Sequence, residues 1–172
     1  MANPWTQKAT FGSVGRHRAT GLSIGNKGYI GLGHYNWTGV NYSFNDWWQF
    51  DPASNSWTQK ANFPSATYAA LAFSVGEKGY VGGGVFNGTL FYEYNPATNI
   101  WSSITNCPIS VSDVQAFDIG NKGYVYSGNQ VASYTPVTNS WTMLPTAPIS
   151  FAWWSCAFST ETSGYIKSGN IL

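Results

Sequence analysis

Charged side chains are scarce in this sequence. Eight Lys and Arg against seven Asp and Glu make up 9% of 172 residues. That balance gives no field to steer a polyanion, so neither nucleic acid nor an anionic membrane surface is an expected partner. Cysteine is nearly absent too. Cys107 and Cys156 do not make a disulfide framework or a metal site by their spacing, and both read as buried thiols. With only two histidines, His17 and His34, no zinc site of normal ligand number is expected, and no cofactor is implied. No apolar run nears the length of a membrane span, and no charged-then-apolar signal follows Met1. A soluble chain without membrane insertion is the expectation. Apolar residues do not recur at helical spacing between capping residues, so no helix is expected either.

What the chain has is glycine and aromatic rings, 19 Gly and 17% Phe, Trp and Tyr, a composition suited to many short strands joined by turns. It also repeats itself. GNKGYIGLG (25–33) returns as GEKGYVGGG (76–84) and GNKGYVYSG (120–128), and fades to SGYIKSG (163–169). Each full copy precedes an aromatic segment closed by a proline, FDP (50–52), YNP (94–96) or YTP (134–136), and then a single tryptophan. Trp5, Trp57, Trp101 and Trp141 follow one another at intervals of 52, 44 and 40 residues. Several short strands per repeat of this length mark the blades of a propeller.

The first unit reads as strands at 19–25, 28–33, 46–52 and 56–63, with 34–45 a polar, aromatic loop between the second and third. The second reads as strands at 67–76, 79–84, 90–96 and 99–104, the third at 114–120, 123–128, 131–136 and 139–144. A fourth supplies only 151–159 and the strand after Ser163. The units are therefore 12–64, 65–108 and 109–148, with 149–172 and 1–11 as parts of one more, all in a single domain. Glycine inside the second strands signals close backbone approach, expected near a crowded central axis. Residues 168–172 align with 127–131, where a third strand begins, so the chain reads as a piece of a larger propeller or a subunit that needs another chain.

These repeats resemble kelch repeats of the bacterial, galactose-oxidase-like kind, on the strength of the Gly-rich strand, the aromatic-(Asp/Asn/Thr)-Pro turn and the later Trp. The resemblance implies an all-β propeller of four-stranded antiparallel blades, three full and a split fourth, first strand at the axis and Trp strand outermost. It also implies an extracellular or cell-surface setting. The chain departs from the family in supplying fewer than the usual five to seven blades, and in having Tyr126-Ser127-Gly128 where the other units carry more glycine.

Catalytic groupings are thin. Asp46 and Asp51 lie five apart on one expected strand, so alternation points them to opposite faces, whereas glycoside hydrolysis needs two carboxylates about one bond. Glu93 with Asp113 stays open as a long-range pair. The copper site of oxidases with this fold needs a Cys-linked Tyr, a second Tyr and two His, and no motif here matches it. GNKG precedes a strand rather than a helix, so a hairpin turn accounts for it better than a phosphate loop does.

Binding is the stronger class. Loops after the second and fourth strands emerge on one face and gather Arg16, His17, His34, Tyr35, Trp37, Tyr42 and Phe86. Flat rings beside amide and guanidinium donors suit a glycan or a protein surface. Trp153 and its neighbour Trp154 fall on an inner strand, one facing the axis and the other the next blade, while Trp57, Trp101 and Trp141 are expected to pack between blades. The first reading is a non-catalytic module that binds a glycan or protein through this face. The alternative is a sugar oxidase or sugar-acid isomerase using Arg16, His34 or Asp113, which rests on fold analogy. Self-assembly into a homodimer that completes the ring is compatible with the first, since open ends would expose strand edges and apolar faces.

Overall fold

The computed structural model describes residues 5–151 and 155–168. Three four-stranded antiparallel sheets follow one another along the chain. The first runs β1 (Thr20–Ile24), β2 (Lys27–Gly31), β5 (Trp47–Asp51), β6 (Ser56–Lys60). The second runs β7 (Leu71–Val75), β8 (Lys78–Gly82), β9 (Phe91–Asn95), β10 (Ile100–Ser103). The third runs β11 (Phe117–Ile119), β12 (Lys122–Ser127), β13 (Gln130–Thr135), β14 (Ser140–Met143). A two-stranded sheet, β15 (Cys156–Ser159) with β16 (Gly164–Lys167), comes last among the described residues. The loop expected after β2 instead folds into a small hairpin, β3 (His34–Tyr35) with β4 (Tyr42–Ser43), around a single 3-10 turn at Trp37–Gly39. A second 3-10 turn, Pro136–Thr138, is the YTP corner; no α-helix occurs among the described residues.

The core lies between sheets rather than inside them. Tyr29, Trp47 and Phe63 of the first unit meet Val81 and Tyr94 of the second, and Phe73, Tyr80 and Phe91 of the second meet Val125, Ala132 and Tyr134 of the third. Glycine is what lets the sheets approach this closely. In each unit a first-strand side chain pairs across the hairpin with a second-strand tyrosine: Leu22 with Tyr29, Phe73 with Tyr80, Phe117 with Tyr124, Phe158 with Tyr165. The glycine before the tyrosine of the next unit then lies against that first-strand side chain. A Cβ on Gly79 would sit 3.2 Å from Leu22, one on Gly123 2.0 Å from Phe73, and one on Gly164 2.1 Å from Phe117. At these three positions the crowding comes from the preceding sheet, not from the axis as expected.

The third unit's departure from the glycine pattern has a volume explanation. Gly31 and Gly82 stand opposite Trp47 and Phe91 on the third strand, and a Cβ there would lie 2.6 and 2.4 Å from those side chains. Tyr126 stands opposite the smaller Val131. Large and small have changed places across the pair, and Tyr126 is fully buried.

Each outer strand is tied to a neighbouring segment by a two-part clamp. Trp57, Trp101 and Trp141 donate their indole N–H to the carbonyls of Ala9, Ala61 and Thr105 at 3.0, 2.9 and 2.8 Å. The N–H groups of those same three residues are accepted by Asn55, Asn99 and Asn139 at 3.0, 2.9 and 3.0 Å. Each asparagine sits two residues before its tryptophan in a left-handed turn, φ 50°, 57° and 47°, which Asn tolerates better than most residues. The position that follows Trp141 by the same four residues is Pro145, which has no N–H to give. The rings pack between units as expected: Trp101 lies 5.4 Å from Trp47 and 5.0 Å from Phe63, and Trp141 lies 5.2 Å from Phe91. Asn99→Ala removes the acceptor shared by Ala61 N–H and Tyr94 Oη–H and leaves alanine in a left-handed turn. Urea denaturation should register a loss of about 1–2 kcal/mol.

One sequence reading needs correction. Cys107 is buried between the second and third sheets, and burial pushes its thiol up to about 11. Cys156, on β15, is exposed instead.

Candidate functional site

The residues just before the inner strands share an unusual backbone. Arg18, Ala69 and Asp113 each adopt a left-handed conformation, φ 53°, 58° and 55°, at the same point in the repeat, seven residues before Gly25, Gly76 and Gly120. For non-glycine residues this costs about 1–2 kcal/mol apiece. The three are linked around the axis: Ala69 N–H donates to Arg18 O and Asp113 N–H to Ala69 O, both at 3.1 Å. Backbone strain repeated in register is a reason to look for function.

Directly beneath lies a cavity of about 540 Å³, walled by residues 18–21, 69–72, 113–116 and 155–156, the inner segments of all four units. Its width follows from sequence: Ala19, Gly21, Ala70, Ala72 and Ala116 supply little bulk. Its lining carries both charged and neutral polar groups. Arg18 Nε lies 3.2 Å from Asp113 Oδ1, an ion pair spanning from the first unit to the third. Ala69 between them carries only a methyl and does not block the span. Arg18 also lies over the Tyr68 ring at 5.7 Å. Deeper in the wall, the buried Tyr126 hydroxyl accepts from Gln115 N–H at 3.3 Å and shares a hydrogen bond with Ser155 Oγ at 2.9 Å. Gln115 in turn accepts Ala157 N–H at 3.1 Å, and Thr20 donates to Ala70 O at 2.8 Å. Thr20, Gln115 and Ser155 of the lining are thus held by hydrogen bonds within the chain.

The expected loop-face residues divide into groups. His17, His34 and Phe86 are brought together around Tyr68: His34 stacks on Tyr68 at 4.4 Å, His17 lies 5.0 Å from His34, and Phe86 meets Tyr68 edge-on at 5.6 Å. The imidazoles are held by side-chain amides, His17 by Asn36 at 3.2 Å and His34 by Asn41. Tyr35, Trp37 and Tyr42 sit on the β3–β4 hairpin, with Trp37 and Tyr42 exposed. Trp153 and Trp154 lie outside the described residues.

Arg16 is placed differently from the others. Its side chain is 4% exposed, and all five guanidinium N–H groups have acceptors: Val14 O, Leu32 O, Ser13 Oγ and both oxygens of Asp46. The guanidinium also lies 3.9 Å over Phe44. Burial pushes Asp46 up, but hydrogen bonds from Arg16, Trp48 and Ser13 with the Arg16 charge outweigh it and hold the carboxyl below its ordinary value. The other carboxylates are separated likewise. Asp51 pairs with Lys27 at 2.5 Å, and Glu93 is held by Lys78 and Tyr80 at 2.5 and 2.9 Å. Asp113 is the carboxylate at the cavity. No group of three His, Cys, Asp or Glu side chains suited to a metal occurs among the described residues.

Sequence reasoning missed Arg18, Tyr68, Gln115 and Ser155. The repeat register puts Arg18 and Asp113 at equivalent positions, but nothing in a non-glycine residue announces a left-handed turn.

Four-stranded antiparallel sheets arranged in sequence about a shared cavity define a propeller-like all-β protein. No family model matches this sequence, and no curated protein does. Among solved structures the fold is similar to that of YjhT, with a TM-score of 0.77 over 91% of this chain at 20% identity. The chain spans 60% of the length of YjhT. At that identity the likeness bears on the fold alone.

Proposed function

We propose that the chain is a run of kelch-type propeller blades, three full and one partial, and that it is a non-catalytic module binding a glycan at the mouth of the axial cavity. The observation that carries this reading is the Arg18–Asp113 pair on its strained, hydrogen-bonded backbone, lining a cavity of about 540 Å³, a volume ordinary for small-molecule sites. A guanidinium and a carboxylate side by side offer donors and an acceptor to neighbouring hydroxyls, and the methyl-lined wall suits the apolar face of a sugar ring. The exposed His17 and Phe86, on either side of the Tyr68–His34 stack, extend the surface for further sugar units. Binding is favoured over glycoside hydrolysis because one carboxylate, not two, lines the cavity among the described residues.

Calorimetry against neutral and acidic mono- and oligosaccharides tests this. Arg18→Ala and Asp113→Ala should each weaken binding about 10- to 100-fold, the worth of a charge-assisted hydrogen bond. Phe86→Ala should weaken oligosaccharides several-fold and leave monosaccharides unchanged. Binding that survives both Arg18→Ala and Asp113→Ala would place the site elsewhere.

A further inference from the structure

His17 and His34 stand directly opposite each other across an antiparallel bridge. Each donates its backbone N–H to the carbonyl of the other, at 3.0 and 2.9 Å, so both side chains leave the same face of the ribbon. Their ring centroids lie 5.0 Å apart with the planes tilted by 59°. Tyr68 stacks on the His34 ring at 4.4 Å and limits its rotation. The amides beside the two rings set their tautomer. Nε2 of His17 meets Asn36 Oδ1 at 3.2 Å, and Nε2 of His34 meets Asn41 Oδ1. An amide oxygen only accepts, so each neutral ring carries its proton on Nε2 and keeps a lone pair on Nδ1. Nδ1 of His34 is buried, in a residue 6% exposed, and has no hydrogen-bond partner. A buried acceptor without a donor is costly, and such a group calls for an explanation.

We propose that His17 and His34 chelate a divalent transition ion of the Zn²⁺ and Cu²⁺ class through their Nδ1 atoms. Metal–nitrogen bonds of about 2.0–2.1 Å at a tetrahedral centre put two imidazole centroids about 5 Å apart, the separation these rings have. Ligating histidines characteristically donate their second ring N–H to an oxygen acceptor, and Asn36 and Asn41 supply one to each ring. Imidazole suits Zn²⁺, Cu²⁺ and Ni²⁺, whereas Mg²⁺ and Ca²⁺ seek oxygen ligands. His17 is exposed, so the ion has access from solvent, which completes its coordination. The site does not depend on what the axial cavity binds.

Calorimetric titration with Zn²⁺ tests the proposal on the full chain and on Cys156→Ser, because an exposed thiol also takes Zn²⁺. Wild type and Cys156→Ser should each bind a single ion with equal affinity. His17→Ala should abolish saturable binding without lowering the unfolding midpoint, since that side chain is exposed. Asn36→Ala and Asn41→Ala should each weaken binding about 10- to 100-fold. Nitrogen NMR of the histidine rings reads the ligating atoms: Zn²⁺ should shift both Nδ1 signals and leave both Nε2 atoms protonated. A wild-type chain without saturable binding overturns the proposal, as does binding that His17→Ala retains, that Cys156→Ser loses, or that engages Nε2 instead.

Discussion

Gly123→Val is expected to destabilise the chain by about 3 kcal/mol or more, lowering the unfolding midpoint by about 6–12 °C or preventing folding. The reason is local and severe. A Cβ at position 123 would lie 2.0 Å from Phe73 Cε2 and 2.4 Å from its Cζ. Phe73 has nowhere to retreat. It is stacked on Tyr80 at 5.2 Å, lies 6.4 Å from Phe91 and 6.3 Å from Tyr134, and all four rings are buried. Relief would require separating the second and third sheets, which hold one of the two buried clusters. Gly28→Val, at the same point of the repeat in an open setting, is the internal control. Thermal denaturation of the two variants side by side gives the comparison, and a midpoint for Gly123→Val within about 2 °C of wild type would contradict the packing account.

Asp46→Ala should cost about 3–5 kcal/mol, because it leaves the buried Arg16 guanidinium without its carboxylate. Arg16 joins the loop before β1 to the residue before β5, so its loss loosens the whole loop side of the first sheet. The pH dependence separates this from simple loss of packing. Asp46 has a folded pKa below its ordinary value near 3.8. Its stabilising contribution is therefore complete above that value and disappears as pH falls through the lower folded one. Urea midpoints should drop steeply in this acid window for wild type and less for Asp46→Ala. Asp118 has the opposite sign: burial raises its pKa, so its charged form opposes folding at neutral pH, and acidification relieves that penalty above the window of Asp46. Equal acid sensitivity of wild type and Asp46→Ala would rule out the ion pair as the source.

Strand order and strand composition were legible because they rest on repetition. Alternation, the Gly-rich second strand and the Pro corner recur often enough to fix four strands per unit within a few residues, and the indole spacing located the outer strands. Legibility ended wherever one residue departs from its repeat. Tyr126 looked like a defect until Val131 opposite it was seen to be small. Loop 34–45, unique to the first unit, hid a hairpin whose strands are two residues each. Arg16 and Arg18 are two residues apart in one loop, yet one is buried on Asp46 and the other lines the cavity. Sequence assigned the binding role to the first because side-chain direction depends on backbone dihedrals that a non-glycine residue does not advertise. The cavity itself is made by alanines, and small residues on an inner strand read as packing until the neighbouring strands are in place.

The thiols offer the most direct test of the site. Cys156 is exposed and lines the axial cavity, whereas Cys107 is buried with its thiol pushed up to about 11. A thiol-alkylating reagent at neutral pH should therefore label Cys156 and leave Cys107 unmodified in the folded chain. The measurement is the rate of Cys156 alkylation with and without saturating glycan, for wild type and for Arg18→Ala. The account predicts that a glycan that binds slows labelling of the wild-type chain and loses that protection in Arg18→Ala. A glycan shown by calorimetry to bind while Cys156 reacts at its free rate would contradict it.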